Sequence, residues 1–170
     1  MENNARTRKN LRNHLLLLVF AFLTLVLFFL PVFHLKSKGD GQWTFNDPML
    51  FTVLFTDHKA YYIVFFILGV LSSLSLSVLS FFSLFTDRHL PFAKNIASAV
   101  LGLSGAALTG AYAPQGLLIY VFSLVLLVVT VLDTNLNGEI AEYRFSNIIA
   151  VSSFLIGMIL ALLGLQYGGL

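Results

Sequence analysis

The stretch from Asp133 to Arg144 comes nearer than any other in this chain to a metal-binding pattern. Asp133, Asn135 and Asn137 fall at the first, third and fifth positions of a calcium loop of the EF-hand kind, Gly138 at its sharp turn and Ile140 at its apolar eighth position. The twelfth position should carry a bidentate Glu, and here it is Arg144, a cation facing the would-be ion. Glu142 can replace it only by a different loop path. The expected structure is therefore a polar turn that ends one helix and caps the next. No calcium, and no cofactor of any other kind, is expected.

Other residue types capable of chemistry are scattered. Asp87, Arg88, His89 and Lys94 precede one apolar run, and Asp133, Glu139, Glu142 and Arg144 follow another. Two such groups on one side of a membrane can do acid–base work on a lipid. None of their spacings is specific, so no catalytic residue is assigned. Arg88 and Lys94 are better explained as topology determinants beside anionic headgroups. His34 and His58 share a polar loop with Asp40, Asp47 and Asp57. His and carboxylate ligate zinc, but ligands strung along a flexible loop predict no metal site. His14 is expected at a membrane interface. The chain has no Cys, which excludes thiol catalysis, disulfides and thiolate-bound metal.

Hydroxyls and small residues are more ordered. Six serines lie between Ser72 and Ser83. Ser72, Ser73, Ser80 and Ser83 share a broad helical face with Gly69. Such serines bond back to the i−4 carbonyl or across to a neighbouring helix. The alternative is a hydroxyl-lined polar path for a small solute. Further on, Ser98, Gly102, Gly105, Ala106, Thr109 and Gly110 recur at helical spacing on one face. Ser153, Gly157, Ala161 and Gly164 repeat the device. Small residues let another helix approach until dispersion contacts hold the pair. These faces are expected to pack within the chain, with another subunit as the alternative.

The elements that carry these residues are hydrophobic. Of 170 residues, 58% are hydrophobic and 11% charged, against roughly a quarter charged in an average soluble domain. Lipid can cover that much apolar surface. The net charge of +2 is too small to suggest nucleic acid. Residues 1–14 form a basic start. Leu15 to Leu30 is apolar except at Thr24, and centre-of-helix insertion energies of about −0.3 to −0.6 kcal/mol per Leu, Phe or Val favour its insertion. It ends with no small-x-small cleavage site, so a retained anchor is expected rather than a signal peptide. Five spans are predicted, at 15–33, 61–85, 92–112, 116–132 and 147–165. Were the third and fourth one helix, its roughly 40 residues at about 1.5 Å rise would be twice the bilayer thickness. A turn at Ala113, Pro114 and Gln115 separates them instead.

Seven Lys and Arg residues fall on the N-terminal side of the membrane and three on the other, which places the N-terminus inside and the C-terminus outside. Residues 34–60 form the outer loop. There Asp47 caps and Pro48 starts a short interfacial helix through Phe55, with a strand as the alternative. Trp43, Tyr61 and Tyr62 are expected at headgroup level. No acidic or basic residue is expected deep in any span, which disfavours ion-driven transport.

The expected fold is thus all-α, a polytopic transmembrane helical bundle. The expected function is a non-enzymatic accessory or assembly subunit of a membrane complex, in a plasma or bacterial inner membrane. Its expected partners are the lipid bilayer and other membrane protein subunits, without nucleic acid. A small-solute or lipid transport component and a membrane-embedded lipid-active enzyme are the alternatives.

Overall fold

The computed structural model describes residues 2–30, 60–86, 90–111, 113–136 and 140–167, with side chains at 11–30, 60–86, 90–111, 115–133 and 144–166. The interfacial helix expected near 48–56, and Asp87, Arg88, His89, His34, His58 and Trp43, lie outside the described residues.

The described chain is all-helical. Five helices follow one another: α1 (Glu2–Phe29), α2 (Ala60–Phe85), α3 (Pro91–Leu108), α4 (Ala113–Leu136) and α5 (Ile140–Tyr167). Four contain a stretch long and apolar enough to cross a membrane: Leu11–Phe29, Ala60–Phe85, Gln115–Asp133 and Arg144–Gln166. Several helices outrun the apolar runs that mark them. α1 extends back through the basic start to Glu2, and α4 and α5 reach into the polar stretch after Leu132. Apolarity marks what lipid can cover, whereas a helix continues until its backbone is capped or broken. α3 is shorter than expected, because the chain leaves the α-helix in a turn at Thr109, Gly110 and Ala111. Pro114 therefore falls at the first residues of α4, where its missing N–H costs nothing.

Buried residues recur every three or four positions on each long helix. On α1 they include His14, Leu17, Ala21, Thr24 and Phe28; on α2, Phe66, Gly69, Ser73, Leu76, Ser80 and Ser83. On α4 they include Ile119, Ser123, Leu126, Thr130 and Asp133. A stripe at that spacing runs straight down one side of a helix and meets a neighbour along its length. The resulting packing is a ring in which α1 meets α2, α2 meets α3, α3 meets α4 and α4 meets α1. α5 lies outside the ring against α3 and α4.

α3 is the hub. It packs on three neighbours, and twelve of its eighteen residues are buried. Such a helix can be small and partly polar, because protein rather than lipid surrounds it. Leu90 precedes it in the left-handed region with φ 45°, a conformation that costs an L-residue roughly 1–2 kcal/mol. Pro91 then supplies the fixed φ of the first helical residue.

Aromatic rings fill the seams. Phe20 and Phe122 meet edge to face at 5.6 Å between α1 and α4. Phe28 and Phe66 do the same at 5.5 Å between α1 and α2.

Candidate functional site

The small residues of α3 allow close approach on two sides. Gly102 faces the ring of Phe154 on α5, and a Cβ there would lie 2.8 Å from that ring. Gly105 faces the Tyr120 backbone on α4, and Gly116 of α4 lies against the Leu108–Thr109 backbone in return. Gly157 sits between Tyr120 and Ala106, and Gly164 against Gly110. Ala161 and Ser98 are buried, and Ser153 is half-buried. The Tyr120 hydroxyl donates to the Phe154 carbonyl at 2.7 Å, and Thr109 donates to the Gly105 carbonyl of its own helix at 3.0 Å. The two small-residue faces thus contact each other and α4 within this chain.

The serines of α2 divide by direction. Ser72, Ser73, Ser80 and Ser83 are all buried. Ser73 donates to the Ala21 carbonyl of α1 at 2.6 Å, a bond between helices. Ser83 donates to the Leu79 carbonyl and the exposed Ser75 to the Leu71 carbonyl, both within α2. Among the described residues the Ser80 hydroxyl has no hydrogen-bond partner. Ser73→Ala is expected to cost about 1 kcal/mol and Ser75→Ala close to nothing, as read by denaturant unfolding in mild detergent. Equal effects would show that the Ser73 bond contributes no more than an intrahelical one.

The strongest concentration of polar groups lies where α3 begins and α4 nears its end, beside the middle of α1 and the first two turns of α5. His14 is 2% exposed, Lys94 0% and Asp133 2%. The Lys94 ammonium Nζ lies 3.4 Å from His14 Nδ1. The same Nδ1 lies 3.9 Å from Asp133 Oδ2, and the Asp133 carboxylate attracts the Lys94 ammonium. α1 and α3 are diagonal in the ring, so the Lys94 side chain crosses the interior to reach His14. Beside this triad, Asn95 Nδ2 donates to Ser146 Oγ at 3.1 Å and to Asn147 Oδ1 at 2.5 Å, joining α3 to α5. Asn13 Nδ2 and Asn95 Oδ1 are buried with no hydrogen-bond partner among the described residues.

Two sequence-based expectations change here. His14 is inside the bundle rather than at an interface. Lys94 is packed among helices rather than beside headgroups, because it falls on the buried face of the first turn of α3, which is turned toward His14. Lys94 lies in the first turn of α3 and Asp133 at the last residue of the apolar stretch Gln115–Asp133, so neither charge lies at the middle of a helix. The EF-hand reading also ends: α4 continues to Leu136 and α5 begins at Ile140, which places Asp133 and Asn135 in a helix rather than a twelve-residue loop. Among the described residues no three His, Asp or Glu side chains gather as a metal would need.

At the opposite end, Gln115 closes a helix terminus. Its Nε2 donates to the Leu27 carbonyl at 2.5 Å and to the Leu30 carbonyl at 3.3 Å. The last carbonyls of a helix have no partner of their own, and in lipid an unpartnered carbonyl costs several kcal/mol. Gln115 supplies the donor from α4.

These features define a helical bundle with four membrane-crossing candidates around a small-residue hub and one buried ionisable triad. No protein family model matches the chain, and no curated protein or solved structure matches it.

Proposed function

We propose that this chain is a non-enzymatic integral membrane protein that serves as an accessory or assembly subunit of a larger membrane complex. The observation that carries this reading is how its interior is occupied. The small residues of α3 and α5, Ser73 of α2 and Gln115 of α4 all close contacts between helices. The outer surface is what such a chain offers to a partner. On α5 it is apolar and broad, with Ile148, Val151, Leu155, Ile159 and Leu162 exposed.

Five spans belong to the same proposal, with α3 as the fifth. Its first turn lies beside His14 and Asp133, and its last residues lead into Gly110 beside Tyr62 and Gly164. It therefore runs between the same two ends as its neighbours. Its eighteen residues rise about 27 Å, close to a hydrocarbon core of roughly 30 Å. The distribution of Lys and Arg supports a cytoplasmic N-terminus, an outer C-terminus and a plasma or bacterial inner membrane.

Affinity purification from native membranes in mild detergent, with mass spectrometry of proteins and lipids, tests the function. A stoichiometric membrane partner that is lost on Leu155→Trp or Ile159→Trp is the expected result. A chain that purifies alone and remains stable would overturn it.

One observation favours a second reading, a small-solute or lipid transport component. Ionisable side chains inside a membrane bundle commonly line a transport route, and the His14–Lys94–Asp133 triad is such a group. Unchanged solute or lipid flux in liposomes containing the protein, compared with empty ones, would remove this reading.

A further inference from the structure

We infer that the His14–Lys94–Asp133 triad is a proton-binding site, in which one proton moves His14 from a partner on α3 to a partner on α4. It stands under either reading of the function.

The argument starts from the chemistry of one nitrogen. A Lys ammonium only donates hydrogen bonds. At 3.4 Å from Lys94 Nζ, His14 Nδ1 can therefore join it only as an acceptor, with its own proton on Nε2. The same Nδ1 faces Asp133 Oδ2 at 3.9 Å, and a carboxylate only accepts. Nδ1 cannot accept from Lys94 and donate to Asp133 at once. Unprotonated, it serves Lys94. On taking a proton from water it becomes a donor, loses the Lys94 bond and gains the Asp133 bond. The triad goes from a net charge of zero to one positive charge.

The surroundings suit a group that titrates. On α1 the neighbouring cation, Arg12, is exposed, and on α5 Arg144 is exposed. α2 carries no titratable side chain except Tyr61 and Tyr62, at its opposite end. α3 contributes Lys94 and α4 contributes Asp133, a cation and an anion that both face the imidazole. Asn13 Nδ2 and Asn95 Oδ1, both buried and without a hydrogen-bond partner among the described residues, offer a donor and an acceptor near it. Buried polar groups of this kind hold ordered water, which is what a proton needs to reach His14.

The mechanical consequence follows from the ring. The bond between His14 and Lys94 crosses the diagonal from α1 to α3, whereas that between His14 and Asp133 runs along the edge from α1 to α4. Protonation removes the diagonal tie and leaves an ammonium and an imidazolium facing each other. The middle of α1 and the first turn of α3 are then pushed apart.

Nitrogen-15 NMR of the imidazoles in the full chain, reconstituted in nanodiscs, tests this. The protein has four His residues, and His14→Gln assigns the resonance. While unprotonated beside the Lys94 ammonium, His14 is expected in the Nε2–H tautomer, and it is expected to take up one proton between about pH 5 and 8. Asp133→Asn should lower its proton affinity about tenfold or more, and Lys94→Met should raise it by a similar factor, because an opposite and a like charge at this distance act in opposite senses. A His14 that stays in one state across that range overturns the inference. So does a pair of variants that shift it in the same direction, or by less than twofold. If Asp133→Asn does not fold, the wild-type titration and Lys94→Met decide the matter.

Discussion

Asp133→Asn is expected to destabilise the bundle by roughly 3–5 kcal/mol, and adding Lys94→Met to the same chain to restore most of that loss. The carboxylate is the anion that faces Lys94 in the described interior, and the ammonium is 0% exposed. Removing one member of a buried pair leaves the other charge in a medium that solvates it poorly, which costs far more than the pair itself contributes. Met has nearly the length of Lys and no charge, so it fills the same space across the ring. The sign of the coupling is the sharp part of the expectation: the double variant should be more stable than Asp133→Asn alone. Equilibrium unfolding of the four chains of this cycle in mixed micelles measures it. Additive losses would mean that Lys94 and Asp133 do not hold each other.

Gly105→Leu is expected to prevent assembly of the native bundle, at a cost above about 3 kcal/mol. A Cβ at this position would lie 2.6 Å from the Tyr120 backbone nitrogen and 2.9 Å from Ile119 Cγ2. Backbone in the middle of a helix cannot turn aside, so α3 and α4 must separate. Overpacking usually costs about 1–3 kcal/mol where side chains can adjust, and here they cannot. Gly110→Ala provides the contrast. Its nearest obstacle is the Tyr62 hydroxyl at 3.0 Å, the far end of a side chain that can rotate. A change below about 1 kcal/mol is expected there. Unfolding midpoints of the two variants compare them. Equal midpoints would show that α3 and α4 are not in close backbone contact.

The parts of the fold that depend on local pattern were legible in the sequence. α2 was expected at 61–85 and spans Ala60–Phe85, because its apolar run ends abruptly at both sides. The outer ends of α1, α4 and α5 were not legible from apolarity. Glu2 to Arg12 and Asp133 to Leu136 are polar yet still form helix, and hydropathy does not report backbone hydrogen bonding.

The triad was missed for a different reason. His14, Lys94 and Asp133 lie 80 and 39 positions apart, and no local spacing links them. Each was judged by polarity and assigned to an edge or a turn. A signal was present in the stripes. His14 continues the series Leu17, Ala21, Thr24 and Phe28, and Asp133 continues Ile119, Ser123, Leu126 and Thr130. Lys94 begins the series Ser98, Gly102, Gly105 and Thr109. A charged residue in phase with a buried stripe is carried inside by the helix that bears it, and three at one end must meet.

The central claim is a five-span bundle organised around α3, and it is tested by which side of the membrane each terminus occupies. The chain contains no Cys, so Thr7→Cys and Gly169→Cys can each be introduced as a single thiol and labelled with an impermeant maleimide in intact cells and in inverted vesicles. Labelling of Thr7→Cys only in inverted vesicles and of Gly169→Cys only in intact cells is the predicted result. Both thiols labelled from one side would mean an even number of crossings and would contradict the account.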